Sequence, residues 1–63
     1  MVNDMPKIRL IWESGNYIDL NLVNDYELYK NGLCRVYTNY GVMLYGCEEY
    51  PIKEVLFLKD GEL

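Results

Sequence analysis

Histidine, alanine and glutamine are absent from this 63-residue chain, serine and threonine occur once each, and there are two cysteines. Without histidine no side chain ordinarily titrates near neutral pH, so a general base would have to be a perturbed carboxylate or lysine. Ser14 falls in a turn with no base beside it. Cys34 or Cys47 would become a nucleophile only if a neighbouring cation lowered its pKa. Catalysis is therefore not expected. Two cysteines without histidine do not complete a four-ligand zinc site. The acidic pairs Asp25 with Glu27 and Glu48 with Glu49 lack the ligand spacing of a calcium loop. No metal and no cofactor are expected, and no glycine-rich phosphate cradle is present.

No run approaches the roughly 18 apolar residues that mark a membrane span. Residues 1–6 lack the basic and apolar regions of a signal peptide. The expected location is cytoplasmic, away from the membrane, with both cysteines reduced and acting as small hydrophobes. Basic residues are outnumbered 6 to 10, giving a formal net charge of −4. Binding to duplex nucleic acid depends on cations that neutralise phosphates, so this balance argues against it and favours a partner with a basic surface. Missing alanine removes the best helix former. Asparagine, tyrosine, isoleucine and lysine are plentiful, as in coding from AT-rich genomes, and a short frame of this kind suits a phage or mobile element acting in a host cytoplasm.

What is abundant is tyrosine. Seven tyrosines, one tryptophan and one phenylalanine are more large rings than one small core holds, and each buried phenol needs a hydrogen-bond partner. Part of this aromatic area is expected at a surface, where clustered rings mark binding faces. A domain of this size is marginally stable on its own. With no disulfide or metal expected, self-association is the remaining route to stability, and the chain is expected to be a homo-oligomer.

The hydrophobic pattern reads as one small β-rich domain over residues 1–63. Residues 7–13 alternate with Ile8, Leu10 and Trp12 on one face. After a turn at Ser14, Gly15 and Asn16, residues 17–22 alternate with Ile18, Leu20 and Leu22 inward, completing a hairpin. Residues 25–31 read slightly better as a short helix capped by Asn24 and ended by Gly32. The rival is a strand over residues 26–29 turning at Asn31 and Gly32. A second hairpin joins residues 33–38 to residues 42–45 through Asn39, Tyr40 and Gly41. A connector with Glu48 and Glu49 leads to a last strand over residues 52–58. The expected fold is all-β, or β with one short helix: a five-stranded antiparallel sheet or a small barrel of SH3-like or OB-like kind. The order of elements resembles that of small Sm-like barrels in topology alone.

Alternation places Tyr17, Asp19, Tyr37 and Tyr45 on outward faces, Met43 and Arg35 beside them, and Glu48 and Glu49 in an acidic loop. These residues are the expected partner-binding face. On this reading the chain is a non-catalytic inhibitor of a nucleic-acid-handling or defence protein, its carboxylates standing in for phosphates. The alternative is an oligomer that sequesters a small nucleotide between subunits, with Trp12 stacked on the base and Arg9 and Arg35 on the phosphates. A purely structural subunit is a third reading. Val55, Leu56, Phe57 and Leu58 are apolar on both faces of their strand, so they are the expected oligomer interface.

Overall fold

The computed structural model describes residues 7–58, which form six strands and no helix. These are β1 (Lys7–Trp12), β2 (Tyr17–Leu20), β3 (Val23–Leu28), β4 (Cys34–Thr38), β5 (Gly41–Tyr45) and β6 (Ile52–Leu58). They make two antiparallel three-stranded sheets, ordered β2-β1-β6 and β3-β4-β5. The expected single five-stranded sheet is thus divided in two, and the strands do not close into a barrel.

The division occurs at Asn21 and Leu22. Leu22 sits at φ 59°, a left-handed conformation that costs an L-residue roughly 1–2 kcal/mol. The bend carries the chain out of the first sheet and directly into the second. Ile8 pairs with Leu20 and Leu10 with Ile18, while Val23 already pairs with Thr38. As a result Val23 is buried, whereas Leu22, expected inward, is exposed. Strands that change sheets at such corners are how orthogonal β-packings turn.

The segment expected to begin as a helix at residue 25 is strand β3. Tyr26 pairs with Val36 and Leu28 with Cys34. A helix would have removed one of the two neighbours of β4, so tertiary pairing overrides the capping pattern at Asn24 and Glu27. Asn31 instead shapes the following turn, its side chain accepting from the Leu33 N–H at 3.1 Å.

The core is small: Ile8, Leu10, Val23, Cys34, Val36 and Ile52 are buried, with Trp12, Ile18, Leu20, Tyr26, Tyr45 and Val55 packed around them. Burial pushes the Cys34 thiol up, as suits an inert core residue. Cys47 is exposed and both cysteines are free. The last strand, expected to be covered by another chain, is a sheet edge in the single chain.

The sheets are locked together at one crowded point. Ile52 N–H donates to Gly32 O at 2.9 Å. A Cβ on Gly32 would lie 2.4 Å from Pro51 Cβ, and one on Gly46 would lie 2.4 Å from Gly32 O. Both glycines also hold positive φ, 89° and 82°. Gly32→Ala therefore combines a forbidden backbone conformation with overpacking and is expected to destabilise the fold by roughly 2–4 kcal/mol. Urea denaturation checks this; an unchanged midpoint would contradict the crowding.

Candidate functional site

The outward residues of the first sheet form a local cluster. Arg9 and Asp19 are cross-strand partners and make a two-point ion pair, Nε to Oδ1 at 2.7 Å and Nη2 to Oδ2 at 3.1 Å. The guanidinium also lies 4.2 Å from the centre of the Tyr17 ring. The hydrogen bond from Arg9 holds the Asp19 carboxyl below its usual range. Asp19 and Tyr17 thus share a face as expected, but both are occupied by Arg9.

The outer face of the second sheet holds Arg35 and Tyr37. Here Glu27 Oε1 accepts hydrogen bonds from the Tyr29 hydroxyl and from the Tyr37 hydroxyl, the latter at 2.9 Å. Arg35 lies 5.7 Å from the Tyr29 ring centre. The two phenol donors, Tyr29 first, hold the Glu27 carboxyl below its usual range, and the same bond raises the Tyr29 phenol.

Tyr45 does not join this face. The second hairpin turns in two residues, Asn39 and Tyr40, so Thr38 pairs with Gly41, Val36 with Met43 and Cys34 with Tyr45. Thr38 Oγ1 fixes the turn by accepting from the Tyr40 N–H and donating to Gly41 O, both at 3.0 Å. This register puts Met43 and Tyr45 on the core side with Cys34 and Val36. Val42 and Leu44 are turned outward instead, at 56% and 59% exposure. A three-residue turn would have reversed every assignment on β5. The single aromatic patch expected from Tyr17, Tyr37, Tyr45 and Met43 is therefore distributed over three surfaces.

A different constellation assembles at the end of the first sheet. Between Ile11 and Trp12 the β1–β6 register slips, so Ile11 faces Glu54 while Trp12 faces Ile52. Glu13 N–H donates to Pro51 O at 3.0 Å, tying the β1 turn to the connector. That connector is held by reciprocal bonds between Cys47 and Tyr50, at 3.1 and 3.2 Å. Between them lies a cleft of about 380 Å³ lined by Trp12, Glu13, Ser14, Glu49, Tyr50 and Pro51. Glu48 lies beside it in the same loop, exposed. Among the described residues, the cleft lining includes two aromatic residues and two glutamates and no lysine or arginine. Among the described residues the one ion pair is Arg9 with Asp19, so the cleft acids have no cationic partner there.

Of the residues expected at a partner-binding face, the cleft contains Glu49, with Glu48 adjacent. Of the nucleotide set it contains Trp12 alone. Arg9 lies on the opposite face of β1 and Arg35 on the other sheet, so the three do not converge within one chain. Val55 packs against the core, while Leu56 and Phe57 are exposed and Phe57 stands 5.6 Å from the Tyr26 ring. Glu13, Ser14, Tyr50 and Pro51 were not singled out by the sequence. Their assembly depends on the register slip and on the Glu13–Pro51 bond, neither of which has a sequence signature.

No protein-family model, no curated protein and no solved structure matches the chain. Among the described residues, no helix is long and apolar enough to cross a membrane and no acidic or cysteine cluster is suited to a metal ion.

The depressed Glu27 pKa has a pH consequence. Ionised Glu27 is favoured by folding, so its contribution is present above the usual carboxylate pKa of 4.5 and is lost as pH falls through the lower folded value. A carboxyl NMR titration should place Glu27 below 4.5, with Tyr29→Phe and Tyr37→Phe each moving it back up. A midpoint indifferent to both changes would contradict the shared hydrogen bonds.

Proposed function

We propose that this chain is a non-catalytic binding protein whose cleft at Trp12, Glu13, Glu49 and Tyr50 receives a cationic side chain from a basic protein partner. The observation that carries this reading is the cleft's composition: two aromatic residues and two glutamates, with no lysine or arginine among the described residues that line it. An arginine or lysine entering it would gain a cation–π contact from the rings and charge-assisted hydrogen bonds from the glutamates. A neutral donor would gain the hydrogen bonds alone, whereas a cation gains both, and a net charge of −4 speeds the encounter with a basic surface.

The partner that fits is one whose basic surface handles nucleic acid, a host protein if the chain is phage-encoded. Glu13, Glu48 and Glu49 would take the place of phosphates, and the chain would inhibit by occupancy. Tyr50, 69% exposed, supplies apolar contact area at the rim. The core-side position of Tyr45 removes it from the proposed contact surface.

The single tryptophan lines the cleft, so its emission reports occupancy directly. Titration with an oligoarginine peptide should shift Trp12 emission saturably, and added salt should weaken the binding. Glu13→Gln and Glu49→Gln should each lower affinity about tenfold, the equivalent of about 1.4 kcal/mol for one charge-assisted bond. ATP, the probe for nucleotide capture, should leave the emission unchanged. A saturable response to ATP, or peptide binding indifferent to both substitutions, would overturn the proposal.

A further inference from the structure

Among the described residues the two sheets leave β2, β3, β5 and β6 at their borders. Natural edges are usually blunted by charges, prolines, bulges or short length, because an open strand offers unpaired N–H and C=O groups to another chain. Three of these four are blunted. β2 is four residues long and carries Asp19. β3 carries Asp25 and Glu27 and a register slip. β6 carries Lys53 and Glu54 and the slip opposite Trp12. β5, with the sequence GVMLY, has no charge, no proline and an unbroken register.

Its free backbone groups follow from the ladder. Tyr29 N–H donates to Leu33 O at 2.8 Å, which makes that pair hydrogen-bonded. Bonding then alternates along β4, with odd-numbered residues turned to β3 and even-numbered residues turned to β5. In the observed register Cys34, Val36 and Thr38 face Tyr45, Met43 and Gly41. Val42 and Leu44 therefore direct their N–H and C=O groups to the open edge, and their side chains are the most exposed on the strand.

We propose that β5 pairs with β5 of a second copy, antiparallel about Met43, joining the two second sheets into one across a twofold axis. Val42 then exchanges both backbone bonds with Leu44 of the second copy, and Leu44 with its Val42. Gly41 comes opposite Tyr45, a large ring beside a residue with no side chain, and Met43 meets its own image. The apolar pairs lie next to Tyr37 and Arg35, their cross-strand neighbours, and form a continuous band on the outer face.

A second copy is the occupant that this edge fits, because β5 carries no charged residue and pairing about Met43 is self-complementary. The net charge of −4 on each chain opposes association, so a symmetric contact, which sets every residue against the same patch, must keep like charges off the seam. Pairing through β2 or β3 would bring carboxylates near their own images; pairing through β5 brings none. A five-residue ladder is a small contact beside the roughly 1,200–2,000 Å² of a standard specific interface. The dimer is accordingly weak and concentration-dependent. Its surface differs from the Val55, Leu56, Phe57 and Leu58 interface expected from the sequence, and it is independent of the cleft.

Sedimentation velocity from about 10 μM to about 1 mM tests this, the upper concentrations being those at which a weak complex populates. The wild type should pass from monomer to dimer, with exchange of the Val42 and Leu44 amides slowing as concentration rises. Val42→Lys with Leu44→Lys should remain monomeric throughout. Val42→Thr with Leu44→Thr keeps strand propensity, guards against a folding defect, and should weaken the dimer about tenfold or more. A wild type monomeric at the highest concentration would overturn the proposal. So would a dimer unaffected by the threonine pair, or one abolished by Leu56→Lys alone.

Discussion

The junction of Gly32, Gly46, Pro51 and Ile52 is the contact on which the arrangement of both sheets depends. Two small antiparallel sheets with six buried apolar residues between them have little packing with which to fix their mutual angle. A backbone hydrogen bond from buried Ile52 to Gly32 supplies a directional link, and it forms only because neither glycine presents a Cβ. Pro51 sits against Gly32 and also accepts from Glu13, so one residue ties the second sheet's turn, the connector and the end of β1 together. The acid–aromatic cleft lies on that junction, and its geometry inherits the rigidity of the contact beneath it.

The thinness of the protein accounts for where its tyrosines lie. The described residues extend 42 × 26 × 14 Å, too thin to enclose many rings. The rings distribute accordingly: Tyr26 and Tyr45 pack beside the core, Tyr29 and Tyr37 spend their hydroxyls on Glu27, and Tyr17 lies under Arg9. Tyr40 and Tyr50 are the most exposed, at 86% and 69%, and of these Tyr50 borders the cleft. Much of the aromatic content therefore stabilises the sheet surfaces through cross-strand contacts, and a smaller share is left for recognition.

The strands were legible where periodicity and local turn chemistry agreed. Residues 7–12, 17–20 and 34–38 alternate as a half-buried strand does, residues 52–58 read as a strand from their short apolar run, and Ile8, Leu10 and Ile18 share the face that their spacing gives them. Legibility failed where one residue of register or one pairing partner decides the outcome. Asn39, Tyr40 and Gly41 permit turns of two or three residues, and the choice exchanges Tyr45 for Leu44 on the exterior. Asn24 and Glu27 satisfy a helix cap locally, and it is pairing along the second edge of β4 that makes β3 a strand. Leu22 carries no mark of a bend, because a left-handed leucine is imposed by the sheets on either side of it. Of the cleft, Glu49, with Glu48 beside it, was legible as a charged loop and Trp12 as an aromatic near a turn. Their approach to Glu13 is a tertiary fact, set by the β1–β6 slip.

Amide hydrogen exchange at Ile52 tests most directly whether one junction holds the two sheets in register. If the Ile52 N–H bond to Gly32 is broken only when the whole domain unfolds, its exchange free energy will equal that of the central amides of Leu10 and Val36 and fall with urea along the same line. An Ile52 amide that exchanges by a local, urea-insensitive opening while Leu10 and Val36 remain protected would show that the sheets hold together without the junction.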